Sequence, residues 1–176
     1  PVIGDIDQGM GTSIEGPSRF VDIIGRENGI YSVLDQQRGR IFTYDVNGNL
    51  LYVFGGLGQG VGLFVRPVAI EEYNGQILVL DNRTNSITVF APTDYTKLIH
   101  MAIDAYNRGG YNQAAELWQE VIALNCNCEL AFSGVADAEF GKGNYAQAML
   151  YYKLANNRPG HSKAFYRYRR QLLGER

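Results

Sequence analysis

Gly109-Gly110-Tyr111-Asn112-Gln113-Ala114-Ala115-Glu116-Leu117-Trp118 is answered by Gly143-Asn144-Tyr145-Ala146-Gln147-Ala148-Met149-Leu150-Tyr151-Tyr152, an offset of 34 (143 − 109). The same spacing sets Leu98 on Phe132, Ala102 on Ala136 and Val121 on Ala155. Apolar positions here recur with the helical period. Small residues at Ala102 and Ala114 let two helices approach closely, and Trp118 and Leu98 fill the space around that contact. Gly109-Gly110 and Gly141-Lys142-Gly143 break the chain between helices. The pattern predicts two helical hairpins over residues 94–159. His161–Leu173 then reads as one more helix, closing the array as its terminal cap.

Upstream the period is different. Asn28-Gly29-Ile30-Tyr31-Ser32-Val33-Leu34-Asp35 returns as Asn74-Gly75-Gln76-Ile77-Leu78-Val79-Leu80-Asp81, an offset of 46 (74 − 28). Ile41-Phe42-Thr43-Tyr44 likewise falls on Ile87-Thr88-Val89-Phe90. Each unit reads as a turn, a short apolar strand, an Asp-led turn and a second, alternating strand. Asn47-Gly48, a strand at Leu50–Phe54 and the loop Gly55–Gly62 lie between the units, and a strand over Leu63–Ile70 leads into the second. Four antiparallel strands per period are therefore expected, with Gly11–Val21 as the tail of a third unit.

Composition separates the halves. Residues 1–93 hold 14 of the 21 glycines and 10 acidic against 6 basic side chains; residues 94–176 hold 8 acidic and 10 basic. Ala91-Pro92-Thr93-Asp94 is the expected boundary, because Pro92 cannot continue a ladder and Thr93 or Asp94 can cap a helix. The domains expected are 1–92 and 93–176.

The upstream residues resemble the NHL repeat family of β-propellers. The likeness rests on the Asn-Gly turns, the strands ending in Asp35 and Asp81, the strands ending near Tyr44 and Phe90, and the linker into Pro67. It covers about residues 12–92 and implies roughly two blades, too few to close a ring. The downstream residues resemble the tetratricopeptide repeat, departing from it at Cys126, where proline is usual; Pro159 lies within a residue of the expected place in the second repeat. The fold expected is thus α+β and multidomain: antiparallel blades of a partial propeller, then a helical-hairpin array with a cap helix.

The tetratricopeptide resemblance implies a concave groove lined by the first helix of each hairpin. The matching positions are Thr96, Ile99, Ile103, Tyr106 and Asn107, then Leu130, Ser133, Asp137 and Phe140, with Arg167 and Gln171 continuing the row. Aromatic side chains among a few polar groups suit a peptide or helix ligand. The Lys and Asn that clamp a C-terminal carboxylate in chaperone cofactors are missing.

Other features favour plain structural readings. The Gly55–Gly62 loop is followed by a strand and lacks the Lys-Ser/Thr of a phosphate loop, so it reads as a connection between sheets. Asp35 and Asp81 read as turn caps rather than metal ligands, and no cofactor or metal is expected. His100 and His161 lack a nucleophile or carboxylate in a catalytic arrangement, so no catalytic residue is assigned. Cys126 and Cys128 are too close in sequence for an unstrained disulfide and too few for a zinc site; both read as structural thiols. The basic residues near the C-terminus, His161, Lys163, Arg167, Arg169, Arg170 and Arg176, read as a solvated surface favoured near a helix C-terminus. A net charge of −2 argues against nucleic acid as partner. The apolar runs are too short to span a bilayer. The chain begins at Pro1 rather than Met, so it reads as an excised piece, and any leader or membrane anchor would lie outside it.

A non-catalytic protein-interaction scaffold is the function expected, with a protein or peptide partner and self-association through open sheet edges. Fold-level analogy favours an extracytoplasmic or membrane-associated bacterial setting over the cytoplasm. The alternative is a ligand-binding or hydrolytic propeller whose site is completed by further blades.

Overall fold

The computed structural model describes residues 17–174, which form two antiparallel sheets followed by five helices. The chain divides between Pro92 and Thr93 into two compact units.

In the first unit, β1 (Phe20–Gly25), β2 (Tyr31–Asp35), β3 (Arg40–Tyr44) and β4 (Leu50–Gly55) pair in chain order. β5 (Pro67–Tyr73), β6 (Gln76–Asp81) and β7 (Ser86–Phe90) make a second sheet of three. Phe20 and Val21 belong to β1 of the first sheet rather than to the tail of a further unit; the part of that expected tail up to Gly16 lies outside the described residues. The strand expected from Leu63 begins only at Pro67. Among the described residues the second sheet also lacks the fourth strand that the period calls for. The residues 46 beyond Leu50–Gly55 are 96–101, and they lie in a helix.

The 46-residue repeat recurs in backbone geometry. Asn28 and Gly29 take φ of 58° and 73°, and Asn74 and Gly75 take 51° and 75°. Asn74-Gly75 joins Tyr73 and Gln76, which pair directly, so both turn residues must be left-handed and Gly is the residue that tolerates it best. Leu34 and Ile41 from the first sheet share one core with Ile70, Ile77 and Val79 from the second, and Phe54 and Phe90 pack against it. Arg26 ties the sheets further: its Nε lies 2.6 Å from Glu72 Oε2, and its Nη1 donates to Tyr52 Oη at 3.0 Å. The glycine-rich loop folds back through Gly58 N–H to Phe64 O and Phe64 N–H to Gly56 O, both at 2.8 Å. That seats Phe64 in the core, so this loop serves as a packed connection.

The second unit comprises α1 (Asp94–Asn107), α2 (Tyr111–Leu124), α3 (Glu129–Gly141), α4 (Tyr145–Leu154) and α5 (Arg158–Leu172). Thr93 caps α1, its side chain accepting from Thr96 N–H. α5 starts three residues before the expected His161, because Asn157 caps it, accepting from Gly160 N–H at 2.9 Å, and Pro159 fits the first turn. Gly109 and Gly143 end equivalent helices with φ of 79° and 81°. Each helix packs chiefly on the next.

Buried Ala102, Ala105, Ala114 and Ala115 bring α1 and α2 together. Trp118 is 4% exposed, and its indole lies against Gly134 of α3, so it joins one hairpin to the next as well as filling its own. Tyr152, at the equivalent position 34 residues on, lies against Gly160 of α5. Of the two thiols, Cys128 is buried, whereas Cys126 is exposed and serves no packing role. Among the described residues no helix is long and apolar enough to cross a membrane.

Candidate partner-binding face

The expected groove positions fall on α1, α3 and α5, with unequal access to solvent. On α1, Thr96, Ile103 and Tyr106 are half-buried and Asn107 is exposed. Ile99 is fully buried, which corrects its assignment: it offers no surface to a ligand. The helical period places it on the same face of α1 as Ala102, three residues on, which is buried as well. On α3, Leu130, Ser133, Asp137 and Phe140 are half-buried, and on α5 Arg167 and Gln171 are exposed.

Two aromatic pairs recur at the helix turns. The rings of Tyr106 and Tyr111 are 5.3 Å apart, and those of Phe140 and Tyr145 are 5.1 Å apart. Each pair joins the last turn of one helix to the first residue of its partner, 34 residues apart in both members. Lys163 of α5 holds its Nζ 4.6 Å from the centre of the Phe140 ring, a cation–π contact. Ser133 Oγ accepts from Asn157 Nδ2 at 3.3 Å, joining α3 to the α4–α5 turn.

Asp137 is the one carboxylate among the expected groove positions. Its carboxylate accepts a hydrogen bond from the Tyr152 hydroxyl of α4. Burial, then the hydrogen bond to Asp137 and the charge of that carboxylate, hold the Tyr152 hydroxyl well above the ordinary tyrosine pKa. Tyr106 is also pushed up, first by burial, then by the negative charge of Asp137 and by Tyr111. Two protonated tyrosines therefore flank one carboxylate, which gives an acceptor for a cationic group beside aromatic carbon. The sequence pattern does not single out Tyr152 or Lys163 for this face. Tyr152 occupies the Trp118 position and reads as core; its hydroxyl tip is the available signal. A separate cavity of about 530 Å³ opens beside Tyr152 at the α4–α5 turn, edged by Lys153, Arg158 and His161.

The buried aspartates of the sheet unit hold turns together. Asp35 Oδ1 accepts from Arg19 and Gln37 N–H at 3.0 and 2.8 Å, and Arg38 Nη1 lies 3.8 Å from its Oδ2. Asp81 accepts from Val65 and Arg66 N–H through one oxygen, and from Arg83 and Thr84 N–H through the other. Burial alone would raise the Asp81 pKa, but those four donors outweigh it and hold the carboxyl below its ordinary value. Among the described residues no group of three or more His, Cys, Asp or Glu side chains could hold a metal ion. The chain matches no protein-family model and has no significant match among curated proteins.

Proposed function

We propose that this chain is a non-catalytic interaction module: a tetratricopeptide-type array that holds a peptide or partner helix, preceded by a segment of NHL-type β-propeller. The observation that carries this reading is the half-exposed row of Tyr106, Asp137 and Phe140 on successive first helices, with Asp137 between two tyrosines. The repeated glycine conformations at Gly109 and Gly143, and the repeated ring pairs, support the tetratricopeptide likeness. The repeated Asn-Gly turns and buried aspartates support the NHL likeness.

The ligand this face suits is a segment carrying a Lys or Arg beside an apolar side chain. The cation meets Asp137, and the apolar group packs between the Tyr106 and Phe140 rings. A peptide-display selection on the whole chain tests the reading. Enriched peptides should share that pairing of residues, and Asp137→Asn and Tyr106→Ala should each weaken them about tenfold or more, as truncating a hot-spot residue does. Peptides that bind both variants as tightly as the native chain, or no enrichment at all, would refute it.

A further inference from the structure

We infer that β7 is a self-pairing edge through which two copies of this chain join into one continuous antiparallel sheet. The two sheets supply their own comparison. β3 and β7 hold equivalent places in the 46-residue repeat, and the outer edge of β3 is paired with β4. Ile41 and Thr43 of β3 are 0% exposed, Ile41 lying in the core shared with Ile77 and Val79 of the second sheet. Their counterparts on β7, Ile87 and Val89, are 59% and 53% exposed. The chain turns helical where a fourth strand would lie, and among the described residues no third sheet covers this face. Among the described residues β7 thus has no strand on the edge where its equivalent has β4.

The remaining outer strands carry features that discourage pairing. β1 and β5 lie against each other, Ile70 N–H donating to Asp22 Oδ2 at 2.9 Å. Each also has a register shift, and β5 bears Pro67, Glu71 and Glu72. The β3–β4 ladder shifts register between Thr43 and Tyr44. β7 pairs with β6 in unbroken register from Ser86 to Phe90. Thr84 through Pro92 contains no charged residue. Nothing on β7 repels a strand, and Pro92 limits the pairing to a short segment.

The strand is also complementary to itself. Antiparallel pairing about a two-fold axis at Thr88 sets Ile87 of one copy opposite Val89 of the other. Leu80 pairs with Ile87 and Leu78 with Val89 inside each sheet. The joined sheet therefore carries two rows of four aliphatic side chains, each running Leu80, Ile87, Val89, Leu78 across the axis. Leu80 is itself 41% exposed, so both rows gain cover from the union. Cross-strand aliphatic pairs of this kind stabilise a sheet, and a two-fold interface closes on itself without forming fibres.

Sedimentation of the whole chain over a wide dilution series tests this. The expected result is a reversible shift from the mass of two chains to that of one. Val89→Lys should leave a folded monomer at every concentration, with unchanged circular dichroism. If Val89→Lys fails to fold, Thr88→Cys on a Cys126→Ser background supplies the second measurement. A short bismaleimide should join two copies of that variant through position 88 of each, whereas Asn47→Cys on the same background should stay single. A chain that is monomeric throughout, a dimer that Val89→Lys leaves intact, or equal cross-linking at positions 47 and 88 would each overturn the inference.

Discussion

Gly134→Ala should change sign with the residue at position 118. A β-carbon on Gly134 would stand 2.3 Å from Trp118 Cε2, 2.4 Å from Nε1 and 2.5 Å from Cδ2. Ordinary contact begins at 3.4 Å, so ring or helix must retreat by 3.4 − 2.3 = 1.1 Å in a closed core. Overpacking of this kind costs about 1–3 kcal/mol, while replacing a mid-helix glycine by alanine returns about 0.5–1 kcal/mol. The clash wins, and the variant should lose about 1–2 kcal/mol. Trp118→Ala alone should cost about 3–5 kcal/mol, as deletion of a buried large aromatic does. With the indole gone, the three atoms nearest to a methyl at 134 are removed and its helical gain remains, so Gly134→Ala should then stabilise by about 0.5–1 kcal/mol. Urea denaturation of the four variants, followed by far-ultraviolet circular dichroism, gives the cycle; the chain's single tryptophan rules out fluorescence in half of them. The same sign in both backgrounds would show that Trp118 and Gly134 do not meet as described.

Asp81→Ala should destabilise the sheet unit by more than about 3 kcal/mol, since several buried N–H groups lose a charged acceptor worth about 1.5–3 kcal/mol each; near-ultraviolet circular dichroism during a melt reads it. The depressed Asp81 pKa also fixes a pH dependence. Its contribution is fully present above the ordinary carboxylate value of 3.8 and is lost as pH falls through the lower folded value, so Asp81→Asn should flatten the stability curve below about pH 4. Added calcium or EDTA should leave the melting temperature unchanged, because both Asp81 oxygens already accept from backbone; a calcium-dependent rise that Asp81→Asn abolishes would contradict the turn role. Gly75→Ala should cost about 1–2 kcal/mol through its φ of 75° alone, as its β-carbon meets nothing within 4 Å; Gly25→Ala, equally open but without a positive φ, should be close to neutral in the same melt.

The sequence makes some of this legible and hides the rest for physical reasons. Turn chemistry carries far: Asn-Gly at 28 and 74 and Asp at 35 and 81 are short-range signals that need no knowledge of the rest of the fold, and each falls where its spacing sets it. β1 is hidden because it pairs one residue out of step with the repeat. Phe20 pairs with Asp35 and Pro67 with Asp81, an offset of 47 (67 − 20) on this strand against 46 (81 − 35) on its partner. The end of the second sheet is legible where its fourth strand is not: Pro92 and the change of period at Thr93 leave no room for a strand after Phe90, although the 46-residue spacing alone calls for one. In the helical half, the groove positions come from the repeat likeness, and that likeness cannot tell a half-exposed position from a sealed one. Ile99 and Ile103 occupy neighbouring turns of one helix, and only tertiary packing decides that the first is closed off while the second stays half-buried. Asp137's partners are illegible because Tyr152 reaches it from another helix with the far end of a side chain placed for its ring.

The paired aspartates also bear on how such a chain can change length. Asp35 and Asp81 pin the start of each sheet's first strand to the end of its second, Asp35 accepting from Arg19 N–H 16 positions upstream and Asp81 from its register counterpart Arg66 N–H 15 positions upstream. At the opposite end the hairpins differ: Arg26 and Ile30 enclose three residues, whereas Tyr73 and Gln76 enclose two. The extra residue in the first hairpin is absorbed at the tip, and the clamp is untouched. A graft of foreign sequence between Asn74 and Gly75 should therefore be borne by the sheet, while one residue added inside β5, between Ala69 and Ile70, would throw the ladder out of phase and turn its buried side chains to the wrong face.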